Sequence, residues 1–227
     1  MEKEIKKTTN LAPPLGVGGL SGNKGLIKVC GMLHSQNIQE LALLKPDFIG
    51  FIFYEKSKRY VGSQLDINTL NTLPKTIKKV GVFVDESEQI IIEIVEKYHL
   101  DYVQLHGEES PDFCKNLKEN GIKVIKAFSV DESFDFEATK QYETIADLFL
   151  FDTKTAEKGG SGKTFDWQIL EKYHGPKPFL LAGGIDENNF EKAKNIKHKY
   201  LFGLDINSKF EIEPGLKNIE KLKKILI

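Results

Sequence analysis

A cysteine, an aspartate and a lone arginine occupy comparable places in this sequence, each ending or following a short apolar run. Cys30 closes LIKVCG, Asp152 lies at the end of LFLFDT, and Arg59 follows FIGFIF. A thiol and a carboxyl exchange protons near neutral pH when their surroundings tune them, so the first two suit one proton donor and one acceptor. They suit a cysteine–histidine nucleophilic dyad poorly, because no histidine is obviously placed beside Cys30. Each has a bland alternative: a lone cysteine packs as a small hydrophobe, and a lone aspartate caps a loop. Of the 32 cationic side chains, Arg59 alone is arginine. Its planar fork fits bidentate capture of a carboxylate, with chance placement as the competing reading.

Glycines supply a second kind of chemistry. The stretch LFLFDTKTAEKGGSGKTFDW contains GSGKT and invites comparison with a nucleotide-binding phosphate loop. That loop requires G-x-x-x-x-G-K-[ST] directly after a strand. Here Glu157 stands where the first glycine belongs, and the loop starts well past the apolar run, so the likeness to a phosphate loop is partial. LAGGI and GLDINS place Gly183 and Gly184, then Asn207 and Ser208, at the ends of two successive runs. Exposed backbone N–H groups at such ends cradle phosphate; a tight turn is the alternative. Gly162, in the GSG of the preceding loop, would close over the same phosphate as a lid.

These residues need a scaffold that gathers run ends. From Leu26 onward eight apolar runs recur: 26–31, 48–53, 78–84, 102–107, 123–130, 148–153, 178–184 and 200–207. They are rich in Val, Ile, Leu and Phe and bounded by Gly, Asp, Asn or Ser, as strands buried on both faces are. Amphipathic stretches alternate with them. SEQIIIEIVEKYHL has a helical apolar face, Ser110 before Pro111 reads as an N-cap, Asp186 before ENNF reads as another, and GLKNIEKLKKILI reads as a closing helix. Eight such units admit an open doubly wound sheet or a closed (β/α)8 barrel, and the length favours the barrel. The expectation is a single α/β barrel domain over 26–227, with residues 1–25 as a mobile N-terminal extension.

In a barrel, function collects at the C-terminal strand ends. Cys30 and Asp152, on strands 1 and 6, then face each other across the mouth. Gly183, Gly184, Asn207 and Ser208 form the phosphate side, and Arg59 lies away from it. Arg59, His106 and Asp205 are the candidate substrate contacts, although His106 reads equally well as a loop hydrogen-bonder. A substrate with phosphate at one end and carboxylate at the other would span this mouth.

The remaining totals are mostly exclusions. A formal net charge of −1 lacks the positive surplus that non-specific nucleic-acid binding needs. Two distant cysteines and scattered histidines give no metal-ligand spacing, and a reduced, cytoplasmic protein is the plain reading. No run is long enough to span a bilayer, and the basic, Pro- and Gly-rich beginning lacks a signal-peptide h-region. No cofactor, metal, nucleic acid or membrane partner is expected. A monomer is the expectation for assembly, with a homodimer as the alternative.

KVCGM, SKRYVG, VGVFVD, VQLHGEE, FDT followed by GGSGKTFDW, LAGGI, and GLDINSKFE ending in PG appear in this order. Together they resemble the phosphoribosylanthranilate isomerase family over 26–227. The departures are Lys58, where proline is common, and Asp186-Glu187, where a proline often stands. The resemblance implies an Amadori rearrangement of N-(5-phosphoribosyl)anthranilate in tryptophan biosynthesis, without cofactor. It implies Asp152 as general acid, Cys30 as general base, Arg59 on the anthranilate carboxylate, and phosphate held by the loops after strands 6, 7 and 8. A cysteine base needs access to its thiolate, and Lys28, two residues earlier on the same strand face, is a candidate for supporting it.

Overall fold

The computed structural model describes residues 25–153 and 167–227. Residues 1–24, Gly162 and the rest of the GSGKT loop lie outside this description. Eight parallel strands close into a barrel in sequence order: β1 (Leu26–Val29), β2 (Phe48–Ile52), β3 (Lys78–Phe83), β4 (Tyr102–Leu105), β5 (Val124–Val130), β6 (Leu148–Thr153), β7 (Phe179–Ala182) and β8 (Leu201–Ile206). Closure is made by β1, which pairs with β2 through Lys28↔Phe48 and with β8 through Lys28↔Asp205. The open doubly wound alternative is thereby excluded.

Both strand faces are apolar because both are covered. Alternate residues of a strand point to opposite faces. One set, including Phe48, Val80, Tyr102, Ile125, Leu148, Leu150 and Leu180, fills the barrel floor. The other set, including Val29, Ile49, Phe51, Val103, Phe149, Phe151 and Phe179, packs outward against the helices. The outer layer is strongly aromatic between β6 and β7, where the Phe151 and Phe179 rings stand 4.8 Å apart.

The outer elements are α1 (Ser35–Leu43), α2 (Ile67–Asn71), α3 (Glu88–Tyr98), α4 (Pro111–Glu119), α5 (Phe190–Lys194) and α6 (Ile219–Leu226). Among the described residues, the covering elements after β5 and after β6 are 3₁₀ turns, Phe136–Tyr142 and Trp167–Lys172, rather than α-helices. Ser110 caps α4 as expected, its hydroxyl accepting from the Phe113 N–H. Asp186 does not cap α5. Its carboxylate accepts from the Asn188 and Asn189 N–H groups of the preceding turn, and Asn189 is the N-cap residue. The closing segment divides as well: Glu211–Glu213 (β9) and Leu216–Lys217 (β10) form a small antiparallel hairpin, and α6 starts only after Asn218, whose side chain caps it.

Candidate active site

The period-two alternation that fills the floor with apolar side chains carries polar ones inward near the mouth. Cys30, Gln104, His106, Asp152, Gly183, Gly184, Asp205, Asn207 and Ser208 line one cavity of 520 Å³ at the C-terminal ends of the strands. Of the residues expected there within the described chain, only Arg59 is missing from its lining.

Cys30 follows the last residue of β1, and its N–H donates to Ile206 O of β8 at 2.9 Å. The side chain is 5 % exposed. Gly50 makes room for it: a methyl group on Gly50 would lie 2.7 Å from the sulfur. Lys28, one strand layer below and fully buried, sends its ammonium 2.8 Å from Asp205 Oδ2, and its charge acts on the Cys30 thiol. Burial pushes the Cys30 thiol up; Lys28 and Lys217 oppose that and Asp205 adds to it, and the net direction is upward. Lys28 therefore supports the thiolate as anticipated, but it does not outweigh desolvation. Burial would lower the Lys28 ammonium, yet the charges of Asp205 and Cys30 outweigh it and hold the proton on. Burial raises the Asp205 carboxyl, with Lys28 opposing. Asp205 Oδ1 is buried and accepts no hydrogen bond from any described residue.

Asp152 ends the inward face of β6, across the mouth. Its Oδ2 lies 3.4 Å from His106 Nε2. Gln104, two residues before His106 and on the same face of β4, places Nε2 at 3.1 Å from His106 Nδ1. An amide nitrogen donates, so Nδ1 accepts, and the neutral imidazole then carries its proton on Nε2, toward Asp152. His106 is thus a partner of Asp152 within the cavity. Gln104 was not singled out from the sequence, although a glutamine inside the apolar run YVQLHG, in step with His106, is a readable signal. Its Oε1 is a second buried acceptor without a described partner.

Arg59 passes over the backbone beside Cys30. A methyl group on Gly31 would meet Arg59 Cδ at 2.7 Å and Asn207 Oδ1 at 2.7 Å, and Gly31 has φ +77°. Glycine is needed there for both reasons. The guanidinium is engaged by Glu211 of β9: Nε lies 2.8 Å from Oε1 and Nη2 lies 2.5 Å from Oε2. This fork–fork pair holds Arg59 beside Gly31, with its side chain 21 % exposed. Glu211 also accepts from Lys217 Nζ at 2.6 Å, and Lys217 reaches Asn207 Oδ1 at 2.8 Å. Burial would raise the Glu211 carboxyl, but Arg59 and Lys217 together hold it low. Neither Glu211 nor Lys217 stood out in the sequence, where charged residues are plentiful.

On the opposite wall, Gly183 and Gly184 have φ +93° and +63°, a left-handed conformation that glycine adopts without strain. The N–H groups of Gly184 and Ile185 donate to no described residue. Ser208 and Lys209, from the turn after β8, share the cavity lining with them. This wall has the donors an anionic group needs. Asn207, although it lines the cavity, is turned by Lys217 toward the Cys30 side. Among the described residues no cluster of histidine, cysteine and carboxylate side chains could hold a metal ion.

A family model described as N-(5'-phosphoribosyl)anthranilate isomerase matches residues 27–227. A relative of that name from Parabacteroides distasonis is 50% identical over 202 residues, covering 88% of this chain and 91% of the relative. The crystal structure of phosphoribosyl anthranilate isomerase from Thermotoga maritima superposes with a TM-score of 0.77 at 34% identity, covering 88% of this chain and 95% of that one. A further isomerase structure, in complex with reduced 1-(o-carboxyphenylamino)-1-deoxyribulose 5-phosphate, gives a TM-score of 0.76 at 29% identity, with 89% and 96% covered.

Proposed function

The chain belongs to the N-(5'-phosphoribosyl)anthranilate isomerase family, and on that premise we propose that Cys30 and Asp152 are the general base and general acid of its Amadori rearrangement. The reaction converts N-(5-phosphoribosyl)anthranilate to the corresponding 1-deoxyribulose 5-phosphate in tryptophan biosynthesis. One observation carries the assignment: the thiol from β1 and the carboxyl from β6 line the same cavity from different sides, with the anion-favouring wall of Gly183–Ile185, Ser208 and Lys209 beside them.

The chemistry follows from that placement. Asp152 gives its proton to the furanose ring oxygen, the C1–O bond breaks, and the nitrogen lone pair forms the C1=N bond of a protonated Schiff base. Cys30, as thiolate, takes the C2 proton; the C–H electrons form C1=C2 and the C=N electrons return to nitrogen. The resulting enolamine becomes the ketose as the C2 hydroxyl proton leaves and C1 gains a proton. His106 orients the Asp152 carboxyl through Nε2, and Gln104 fixes the ring that does so. The unengaged Nη1 side of Arg59 takes the anthranilate carboxylate while Glu211 keeps the fork in place. The phosphate lies against Gly183, Gly184 and Ser208. Gly162, Asn207 and the division of the chain at residue 26 remain part of this proposal as read from the sequence.

The test is the loss of phosphoribosylanthranilate fluorescence under wild type, Cys30→Ala and Asp152→Ala. Each substitution is expected to lower turnover by about 10²–10⁴-fold while the bound-product affinity changes little. Conversion that survives both changes would remove these two residues from the mechanism. The proposed assembly is a monomer in the cytoplasm: the large exposed apolar side chains Leu43, Ile90, Ile212 and Ile227 lie on α1, α3, β9 and the last residue, and light scattering checks this. No helix among the described residues is long and apolar enough to cross a membrane.

A further inference from the structure

A buried base that rests as a thiol can take a proton only after losing its own, so nearby charge must support its ionisation. The charged groups around Cys30 come from every element packed against it. Lys28 of β1 and Asp205 of β8 form one pair below it. Arg59, after β2, and Lys217, of β10, share the single carboxylate of Glu211 beside it. His106 and Asp152 face the same cavity from across the mouth, 3.4 Å from each other, and Lys209 also lines it.

On the Cys30 side, Lys28, Arg59 and Lys217 are therefore answered only by Asp205 and Glu211. One positive charge is uncompensated while Cys30 is a thiol, and the thiolate completes the balance. Lys28 has its own counterion. The Arg59 fork is filled by Glu211 at two points. Lys217 has half of Glu211, and its other acceptor is a neutral amide oxygen, Asn207 Oδ1. Its side chain is 0 % exposed, so solvent does not screen it. Its position is fixed by the backbone: Lys217 N–H donates to Asn37 Oδ1 at 2.7 Å and Asn37 Nδ2 donates to Lys217 O at 3.0 Å, which pins β10 to α1.

We propose that Lys217 is a positioning residue of the isomerisation: its buried ammonium, held by Glu211 and Asn207, is the unmatched cation that favours the ionised form of Cys30. The role rests on the isomerase reading with Cys30 as base. The electrostatic coupling is reciprocal, since Lys217 lowers the Cys30 thiol and the Cys30 charge raises the Lys217 ammonium. Burial is the largest influence on Lys217 and pulls it down. The hairpin after β8 thereby does more than brace Arg59; it sets how much thiolate the barrel mouth holds.

Two substitutions of opposite charge effect test this, both in a Cys114→Ala background so that Cys30 is the sole thiol. Lys217→Met removes a cation; Glu211→Gln removes an anion. The thiolate's ultraviolet absorbance is titrated without substrate, and the acid limb of kcat/KM is measured with phosphoribosylanthranilate. Lys217→Met is expected to move both upward by about one pH unit or more, and Glu211→Gln to move both downward. A role confined to holding the hairpin would not give shifts of opposite sign. An unmoved titration in folded Lys217→Met, or shifts of one sign in both variants, overturns the proposal. Should Lys217→Met not fold, Glu211→Gln decides alone: a downward shift supports the proposal and any other result overturns it. A wild type that leaves phosphoribosylanthranilate unconverted, with the opposite-signed thiol shifts intact, overturns the isomerase reading and supports the charge assignment.

Discussion

Two buried lysine–carboxylate pairs sit in different layers of this barrel, and they are built to different standards. Between the sheet and the helices, Lys126 of β5 meets Glu109 at 2.9 Å, with side chains 3 % and 2 % exposed. Every nearby group is used: Lys126 also donates to Gly107 O at 2.6 Å, and Glu109 accepts from the Asp85 and Gly107 N–H groups. Inside the barrel, Lys28 meets Asp205 at a similar distance and depth, yet Asp205 Oδ1 is left without a described donor. The closed pair ties the loop after β4 to β5. The open pair lies at the cavity, with Asp205 in its lining and one buried carboxylate oxygen unsatisfied by any described residue. A buried ion pair costs desolvation in either place; what distinguishes them is whether the carboxylate's hydrogen-bonding capacity is fully used among the described residues.

The difference can be broken most directly by removing each lysine. Lys126→Met and Lys28→Met should each lower unfolding free energy by about 3–5 kcal/mol, because each strands a buried carboxylate, as read by urea denaturation. Only Lys28→Met should also reduce turnover per folded molecule; an equal loss in Lys126→Met would erase the functional distinction. A smaller effect sharpens the contrast between groups held charged and groups held neutral. The folded-state Glu211 carboxyl lies below its ordinary 4.5, so its contribution is present above that pH and is lost as pH falls through the lower folded value. Glu211→Gln should flatten the acid limb of the stability curve below pH 4.5. The smallest effect belongs to Cys114, on α4 in the closed layer. Burial pushes its thiol from 9.0 up to about 11. Its contribution is complete below pH 9.0 and disappears as pH rises toward about 11, so Cys114→Ala should lose less stability in that window. An unchanged alkaline limb would mean that the outer layer opens to water before the thiol ionises.

The eight strands were legible because a both-faced apolar run is a local property, and each run expected from the sequence contains an observed strand. The elements after β5 and β6 were less legible; 3₁₀ turns can cover a sheet with the same apolar residues as an α-helix. Within the site, Cys30, His106, Asp152, Asp205, Gly183, Gly184, Asn207 and Ser208 fell into place by one rule, that strand C-termini of a barrel share a mouth. Gln104 was missed although its spacing from His106 puts both on one face. Lys217 lies in the stretch whose pattern reads as a closing helix, and it instead forms, with Leu216, a strand of two residues.

The sequence by itself determined the strand count and the family and named candidate proton-exchanging residues, because periodicity and residue type are written along the chain. Only the tertiary structure decided which charges meet. Lys28 and Asp205 are 177 residues apart and Arg59 and Glu211 are 152 apart, and closing the barrel at β1 and β8 is what brings each pair together. Electrostatic energy depends on separation and burial in space, so the charges around the Cys30 thiol, the engagement of Arg59 and the place of Lys217 became legible only after the ring had closed.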